Sequence, residues 1–319
     1  MQYWQKRRAY RRLPRMRAIP RGAKEMSLSS IVGYKVGMTS AMVVEETQKA
    51  SETSKACTII EVPTIEAYGI RLYKKEGSTG YLKIANELYD KAAAQRVGVK
   101  KVAPERERID IAKQDAQNYA GVSLLMAAYP RGTAVGQRHQ DRFEAAIIGK
   151  STVEKMEYAA KLLGKEIKPS DIFKNGEHVD IISISKGKGW QGPIKRFGTA
   201  RQAHKATQKI RHVSPLGAFG TKRVLPSVPQ AGQTGFNYRT EHNKLVLKIG
   251  KKDDAGSVNP KQGFINYGNV VSDFIIIDGS IPGPAKRLVR IRKSMDNRDA
   301  KGIKEPKIGY IATTGKVIR

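Results

Sequence analysis

The feature that most constrains this chain is the segment 186–243, which lacks the apolar spacing of a helix or a strand. Its 58 residues include eight glycines, four prolines and eleven Lys and Arg, with Glu241 as the only acid. Glycine and proline interrupt regular structure, and so many cations cannot be buried together in a core. We therefore expect a long extension that becomes ordered against a partner.

Positive charge is concentrated in three parts of the sequence. The chain of 319 residues has 59 Lys and Arg against 29 Asp and Glu, a net charge of +30. Residues 1–24 hold nine of these cations and no acid, residues 186–252 hold fifteen against one, and residues 286–319 hold eleven against three. The remainder is close to neutral. A block of one sign persists only where something neutralises it, so the predicted partner is a polyanion.

The composition also excludes several classes of protein. With 39% hydrophobic residues the chain is long enough to bury a core, so it is not a disordered polycation. The single cysteine, Cys57, excludes an intramolecular disulfide and is predicted to be a small core residue in a reducing compartment. No apolar run approaches the roughly 18 residues that span a bilayer, so we expect no membrane partner.

The basic N-terminus is predicted to be a nucleic-acid-binding arm. Pro14 and Pro20 interrupt it and leave no room for the apolar stretch of a signal peptide. An organellar transit peptide, which is also Arg-rich and poor in acids, remains an alternative interpretation of these residues.

Runs of β-branched and aromatic residues, bounded by Gly, Pro, Asn or Asp, predict a mainly β fold. The candidate strands are 58–62, 68–73, 122–129, 143–148, 179–184, 245–249, 274–277 and 288–291. Helices are predicted over 86–97, which Gly98 ends, and from Ser151, whose spacing to Glu154 matches a capping box, to Gly164. A third helix is predicted over 104–119. Because strands and helices do not alternate strictly, we expect a barrel or sandwich with an inserted α/β lobe and not a doubly wound sheet.

The GxGxxG pattern at 187–192 does not predict a dinucleotide site. Such a site needs a helix that opens at the glycines and an acidic residue about 20 positions later, whereas this chain continues with Pro193 and has Thr207 to Arg211 at that distance. The five histidines are too far apart for a zinc motif, and no acid–base pair is evident. We predict a protein that is not an enzyme and has no cofactor and no metal site.

Rings and amides are interleaved with the cations of the basic segment. Trp190, Phe197, Phe219, Phe236 and Tyr238 offer faces on which unpaired bases stack, while Lys and Arg neutralise phosphates. Trp190 and Phe197 could equally pin the segment to its own domain, and His204 and His212 could equally be solvated. The predicted RNA-binding residues are Arg7, Arg8, Arg11, Arg12, Arg15, Arg17, Lys186, Lys188, Trp190, Lys195, Arg196, Arg201, His204, Lys205, Lys209, Arg211, His212, Phe219, Lys222, Arg223, Gln230, Gln233, Tyr238, Arg239, Lys286, Arg287, Arg290 and Arg292.

Four parts of the chain carry specific motifs. Two lie in the basic segment, at 186–198 (KGKGWQGPIKRFG) and 231–240 (AGQTGFNYRT), and the others are 31–39 (IVGYKVGMT) and 279–284 (GSIPGP) with 286–290 (KRLVR). Together they resemble one protein family, that of the third universal large-subunit ribosomal protein in its archaeal and eukaryotic form. Residues 31–39 resemble the start of that family's barrel, and the last part resembles its C-terminal signature. The resemblance extends, in order, over most of the chain.

This resemblance implies a mainly β fold, in which a six-stranded β-barrel of the translation-protein type carries an inserted α/β lobe, a long basic loop and extended basic termini. It implies direct binding of large-subunit rRNA near its 3′ end, a role in nucleating subunit assembly, and a loop that runs towards the peptidyl transferase centre. The implied partners are rRNA and neighbouring large-subunit proteins, the fourteenth among them. The implied location is the cytoplasmic ribosome, where the chain would not be an independent homo-oligomer.

The corresponding division of the chain has seven segments. They are a basic arm (1–27), the first part of the barrel (28–85), the inserted lobe (86–178), a barrel strand (179–185), the long basic loop (186–243), the return of the barrel (244–292) and a basic tail (293–319). One departure concerns the loop tip, where eukaryotic relatives carry a Trp and this chain reads Val224-Leu225-Pro226-Ser227. Roles of that ring are therefore not carried over.

Two other classes of protein remain as alternatives. A DNA-binding or chromatin protein would need a recognition helix or paired modules, and the basic segment is too rich in Gly and Pro for a helix. An RNA-modifying enzyme would need a cofactor loop or an acid–base pair, which the sequence does not provide.

Overall fold

Antiparallel sheets dominate the computed structural model, which is mainly β. It describes residues 7–16, 18–20, 26–45, 51–77, 81–99, 118–149, 151–203, 205–206, 209–213, 217, 220, 223–225, 227–296 and 305–313. The strands are β1 (Ser27–Leu28), β2 (Ser30–Glu45), β3 (Ser51–Val62), β4 (Thr64–Glu76), β5 (Tyr81–Tyr89), β6 (Gly121–Tyr129), β7 (Asp141–Ile148), β8 (His178–Ile184), β9 (Gly187–Gln191), β10 (Gly232–Gly235), β11 (Tyr238–Gly250), β12 (Asp273–Asp278), β13 (Leu288–Lys293) and β14 (Lys307–Ile311). The helices are α1 (Lys91–Val97), α2 (Thr152–Leu162) and α3 (Pro193–Phe197), with short 3-10 turns at Pro130–Gly132, Pro169–Asp171 and Lys252–Ser257.

The chain divides into two compact units. We call Met1–Arg12 with Ile184–Arg239 the basic unit, and Leu13–Ser183 with Thr240–Arg319 the body. Each unit is formed by segments that are distant in sequence, so neither could be recognised as one continuous stretch.

A seven-stranded sheet in the order β13-β8-β11-β12-β3-β2-β14 contains most of the hydrophobic core of the body. β13 also pairs with β2, where Ile291 lies opposite Ile31, so that six of the strands pair in a ring. Between β12 and β3, Ile275 lies opposite Ile60, and both side chains are fully buried. β-branched residues such as these favour the extended backbone and pack well on a pleated surface.

A second, five-stranded sheet of the body has the order β1-β7-β6-β4-β5 and is antiparallel throughout. The helix α2 packs on it through Met156 and Ala159, the two buried residues of that helix. All eight strands that the sequence predicts lie within observed strands of the two sheets. The mainly β class is therefore confirmed, and it follows from the clustering of β-branched residues between turn-forming residues.

The predicted helix over 86–97 is wrong in its first half. The helix α1 begins only at Lys91, because the carboxylate of Asp90 caps it by accepting a hydrogen bond from the amide of Ala93 at 2.9 Å. Residues 86–89 belong instead to β5, where the side chain of Glu87 forms an ion pair of 2.7 Å with Arg71 of the neighbouring strand. A partner across the sheet thus overrides the helical propensity of the segment.

The predicted start and end of the second helix are confirmed, but its cap differs from the expected one. Ser151 is the N-cap of α2, yet its side chain makes no capping hydrogen bond, so the capping box with Glu154 is not formed. The helix ends at Leu162, two residues before Gly164, whose φ of 74° is left-handed. The helix predicted over 104–119 falls almost entirely outside the described residues.

The prediction of a segment without regular structure over 186–243 is wrong at both ends. Its first residues form β9 and α3, and its last residues form β10 and the start of β11. Four- and five-residue strands are too short for a periodic pattern, which is why the sequence did not reveal them. Among the described residues between 198 and 231, the structure has no helix or strand.

Candidate nucleic-acid interface

The basic unit carries positive charge with no carboxylate to balance it. Its two segments contain 16 Lys and Arg and no Asp or Glu, out of 59 cations and 29 acids in the whole chain. The body therefore holds 43 cations and all 29 acids over a much longer stretch of chain. Because like charges repel in the free protein, such a unit is stabilised by a polyanion that supplies the missing negative charge.

The strands β9 and β10 of the basic unit pair antiparallel. We call this two-stranded ribbon the hairpin, although most of the long basic loop lies between the two strands in sequence. Gln233 lies opposite Trp190, and Gly235 lies opposite Gly187, with an irregularity between the two pairs. Gly235 has a φ of 73°, and a Cβ atom there would lie 2.1 Å from the backbone oxygen of Lys186. Only glycine fits this position. Of the glycines that imitate a dinucleotide motif, Gly187 and Gly189 lie in β9, whereas Gly192 is the N-cap of α3. The prediction that no helix opens at these glycines is therefore wrong, although α3 has only five residues and no acidic residue follows at the expected distance.

The N-terminal arm is hydrogen-bonded to the chain that follows this hairpin. The amide of Ala9 donates to the carbonyl of Phe236 at 2.7 Å, and the side-chain amide of Asn237 donates to the carbonyl of Arg7 at 2.7 Å. The hydroxyl of Tyr238 bridges both backbone groups of Arg11, accepting from its amide and donating to its carbonyl, each at 2.9 Å. The arm therefore adds its exposed guanidinium groups to the same unit as the basic loop.

Two residues of α3 hold the long loop in place. The guanidinium of Arg196 donates to the carbonyls of Gln233 at 3.1 Å and Gln230 at 2.8 Å, and it lies 4.9 Å from the ring centre of Phe197. Phe197 is only 4% exposed, whereas Trp190 is 77% exposed. The sequence left both rings open to either role. The structure separates them, because Phe197 is buried and Trp190 presents its indole to solvent.

The described part of the long loop keeps its cations at the surface, except for Arg196. Gln202 joins the two sides of the loop, since its amide donates to the carbonyl of Ile210 and its side chain donates to the carbonyl of His212, each at 3.1 Å. The exposed members of the predicted set are Arg7, Arg8, Arg11, Arg12, Arg15, Lys186, Lys188, Trp190, Lys195, Arg201, Lys205, Lys209, Arg211, His212, Arg223, Gln230, Tyr238, Arg239 and Lys286. Arg196, Gln233 and Arg287 are half-buried, and Arg17, His204, Phe219 and Lys222 lie outside the described residues.

Arg290 and Arg292, which the sequence grouped with the RNA-binding cations, lie in the interior of the body. They are 5% and 4% exposed. Arg290 donates to the hydroxyl of Ser30 at 3.1 Å and also to the carbonyl of Glu144, and burial lowers its pKa to about 10. Arg292 forms an ion pair of 2.6 Å with the buried carboxylate of Asp180. Their guanidinium groups bond protein atoms.

The same two arginines bond to backbone carbonyls in the second half of the N-terminal arm. Arg292 donates to the carbonyl of Ala18 at 3.0 Å, and Arg290 reaches the carbonyl of Pro14 at 3.5 Å. The sequence predicted a strand over 288–291 but still grouped these two arginines with the RNA-binding cations, because residues 286–319 hold eleven Lys and Arg against three acids. The apolar neighbours Leu288, Val289 and Ile291 in β13 were the available signal that this part of the chain is buried.

Comparison with known proteins decides the family. Residues 1–317 match the family described as Ribosomal protein L3. The chain belongs to the ribosomal protein L3 family. Three relatives, each named Large ribosomal subunit protein uL3, come from Methanothermobacter thermautotrophicus, Methanosphaera stadtmanae and Methanopyrus kandleri, and they are 38%, 38% and 36% identical to this chain. The matches cover 98% of this chain in each case, and 94%, 94% and 88% of the three relatives.

Membership of the ribosomal protein L3 family confirms the resemblance that the motifs carried, including its archaeal character. The family is a structural component of the ribosome, so the prediction that the chain is not an enzyme is also confirmed. Within the described ranges, no group of three or more His, Cys, Asp or Glu side chains could hold a metal ion. Among the helices that the structure describes, none is long and apolar enough to cross a membrane.

Proposed function

We propose that this chain is a structural constituent of the large ribosomal subunit and that its basic unit binds large-subunit rRNA. One observation carries the proposal: in a member of the ribosomal protein L3 family, 16 Lys and Arg and no Asp or Glu are gathered in one compact unit. The relatives' name, Large ribosomal subunit protein uL3, supports the assignment to the large subunit. The protein acts there by architecture, in the ribosome, without a reaction of its own.

Binding would depend mainly on phosphates. The arm, the hairpin and the loop present exposed cations from three separate stretches of backbone, which suits the contour of a folded RNA. Each neutralised phosphate releases counterions, so ten contacts would make the logarithm of the affinity fall with the logarithm of the salt concentration at a slope of about −7 to −9. Arg290 and Arg292 are left out of the proposed contact set because they are buried.

The finer assignments rest on the family resemblance. They are binding near the 3′ end of the rRNA, a part in nucleating subunit assembly, a loop directed towards the peptidyl transferase centre, and the fourteenth large-subunit protein as a neighbour. The loop residues described between 198 and 231 have no helix or strand of their own, which suits a segment that follows RNA.

We also propose a closed β-barrel as the scaffold. The pairing of β13 with both β8 and β2 supports closure, since it leaves none of the six strands in the ring with an unpaired edge. The five-stranded sheet would then be the inserted lobe. Because β4 and β5 belong to this sheet, we propose that the lobe begins near Thr64 and not at residue 86, and that the other segments given above keep their bounds.

Co-sedimentation tests the ribosomal assignment. The full chain, purified from its own cells at ordinary salt, is expected to sediment with large subunits and to dissociate only at high salt. Recovery of most of the protein free of ribosomes at ordinary salt would contradict the proposal. For the 3′-end assignment, the chain should protect fragments from the 3′ part of the rRNA from nuclease more strongly than fragments from the 5′ part.

Matched charge variants test the role of the basic unit. Replacement of Lys188, Lys195 and Lys205 by Gln should make the salt slope shallower by about 2 to 3, because up to three phosphate contacts are lost. The control replaces three exposed lysines of the body, Lys74, Lys75 and Lys91, by Gln. Equal effects of the two triple variants would show that binding depends on net charge alone and not on the basic unit.

A further inference from the structure

We infer that Trp190 is a stacking platform for one unpaired base of the bound RNA. The inference rests on the proposed function and specifies the form of the RNA. At Trp190 the ligand is an extruded or single-stranded nucleotide and not a continuous duplex. It concerns one side chain and its immediate neighbours in β9 and α3.

The exposure of Trp190 is the first observation. An indole is one of the largest apolar side chains, and rings of this kind dominate the energy of cores and interfaces when they are buried. Here the indole is 77% exposed on a strand of five residues, while Phe197 in the same unit is 4% exposed. Of these two rings, the smaller is therefore buried and the larger is left uncovered.

Open space at the two glycines nearest to Trp190 in the chain is the second observation. A Cβ atom added at Gly189 or at Gly192 would meet no atom within 4 Å. Gly192 has a φ of −67° and a ψ of 164°, which any residue adopts, so neither backbone geometry nor packing within the chain requires glycine at this position. A ligand that approaches the backbone beside Trp190 provides a reason to keep this space clear.

Charge is the third observation. Lys188 precedes Trp190 by two residues and Lys195 follows it by five, both are exposed, and the basic unit contains no carboxylate. Cations beside an exposed ring are the arrangement with which proteins bind unpaired nucleotides, since the ring takes the base and the cations take the phosphates. In an intact A-form helix the base faces are stacked on one another and are not accessible to an indole.

Fluorescence provides a direct test, because the chain has two tryptophans and replacement of Trp4 by Phe leaves Trp190 as the only one. The full chain with this replacement would be titrated with two RNA hairpins that differ only in one bulged adenosine. Stacking on a base quenches indole emission, so we expect strong quenching by the bulged hairpin and weak quenching by the fully paired one. Equal emission changes with both hairpins would overturn the inference.

Affinity gives the second readout. Base–aromatic stacking predicts that Trp190→Ala weakens binding of the bulged hairpin roughly 5- to 150-fold, while Trp190→Phe keeps most of the affinity. Binding of the fully paired hairpin should be unchanged in both variants. An equal loss for both hairpins, or Ala and Phe variants that bind alike, would contradict stacking.

Gly192→Ala tests the open space without removing the ring. Its backbone geometry is compatible with alanine, so we expect an unchanged circular dichroism spectrum and a several-fold weaker binding of the bulged hairpin. The matched control is Gly256→Ala in the body, where an added Cβ also meets no atom within 4 Å. If the Trp4→Phe chain bound both RNA hairpins with a steep salt dependence but its indole emission was not quenched, the stacking inference alone would fail. If that chain bound neither RNA hairpin, the proposed function would fail as well.

Discussion

The guanidinium of Arg292 lies 2.6 Å from the carboxylate of Asp180, and both side chains are buried in the body. His242 approaches the same carboxylate oxygen at 3.1 Å, and the amide of Asn243 donates to the other oxygen at 3.1 Å. An arginine that the sequence grouped with the RNA-binding cations is thus paired with a buried carboxylate of the body.

Removal of the arginine from this pair should destabilise the fold. Arg292→Ala leaves the carboxylate of Asp180 buried without its cation, so the free energy of unfolding should fall by about 3 to 5 kcal/mol. Urea denaturation measures this change. Arg131→Ala, which removes an exposed arginine of the body, is the control and should change stability by less than about 0.5 kcal/mol. If Arg292→Ala were as stable as the parent chain but bound RNA more weakly, the result would instead support the prediction that Arg292 binds RNA.

The hydroxyl of Tyr238 should keep the N-terminal arm attached. Tyr238→Phe removes both hydrogen bonds to Arg11, each worth about 0.5 to 1.5 kcal/mol, so the arm should detach more often. Limited trypsin digestion should then cleave after Arg11 and Arg12 several-fold faster than in the parent chain. Tyr310→Phe, which alters an exposed tyrosine of the body, should leave the cleavage rate unchanged. Identical rates in all three proteins would show that the bridge does not hold the arm.

Gly235 should be essential to the hairpin of the basic unit. In Gly235→Ala the new Cβ would lie 2.1 Å from the oxygen of Lys186, and the left-handed backbone adds a further cost of about 1 to 2 kcal/mol. Hydrogen exchange of the amides in β9 should therefore accelerate, while the amides of β3 and β12 in the body keep their protection. Gly132→Ala, with open space around the added atom, serves as the control. Unchanged exchange in β9 would contradict the described packing.

Burial should make the thiol of Cys57 unreactive in the folded protein. Burial raises its pKa from 9.0 to about 12, the charge of Asp278 adds to this rise, and a hydrogen bond to the backbone of Thr39 opposes it. At pH 8.5 the thiolate fraction is then on the order of 10³ lower than in the unfolded chain, so iodoacetamide should label the protein in urea but not in buffer. Rapid labelling of the folded protein would refute this expectation.

The same shift predicts the direction of a pH effect on stability. Because the pKa is raised in the folded state, the contribution of Cys57 is fully present below about pH 9 and is lost as the pH rises towards about 12. Cys57→Ala should therefore show a shallower decline of unfolding free energy over this range than the parent chain, measured by urea denaturation at several pH values. A parallel decline in both proteins would assign the alkaline effect to other groups.

Residue patterns predicted the core strands better than the surface elements. The strand at 274–277 was found because four consecutive buried residues, Phe274 to Ile277, satisfy the strand pattern without reference to any neighbour. β5 was missed because most of its residues are exposed and its identity depends on pairing with β4. The hairpin strands β9 and β10 were missed for a similar reason, since glycine-rich strands have no apolar alternation and are recognised only by their partners.

The candidate site was likewise only partly predictable from the sequence. The distribution of charge separated a basic loop and arm from a neutral remainder, but it could not distinguish an exposed arginine from a buried one. Arg196, Arg290 and Arg292 each donate to backbone carbonyls of residues that are distant in sequence, and such acceptors have no signature in the residue types around them. Trp190 and Phe197 likewise have similar sequence surroundings and opposite exposure.

The sequence by itself determined the mainly β class, the family, and the concentration of uncompensated positive charge in segments rich in glycine and proline. These properties depend on residue identity and order, which need no knowledge of the neighbours in space. Only the tertiary structure decided which cations remain exposed, how the N-terminal arm is attached to the rest of the basic unit, and which of the two rings, Trp190 or Phe197, faces solvent. Burial and hydrogen bonding are set by contacts between residues that can lie more than 200 positions apart in sequence, as Arg7 and Asn237 do. No local sequence pattern encodes such a contact.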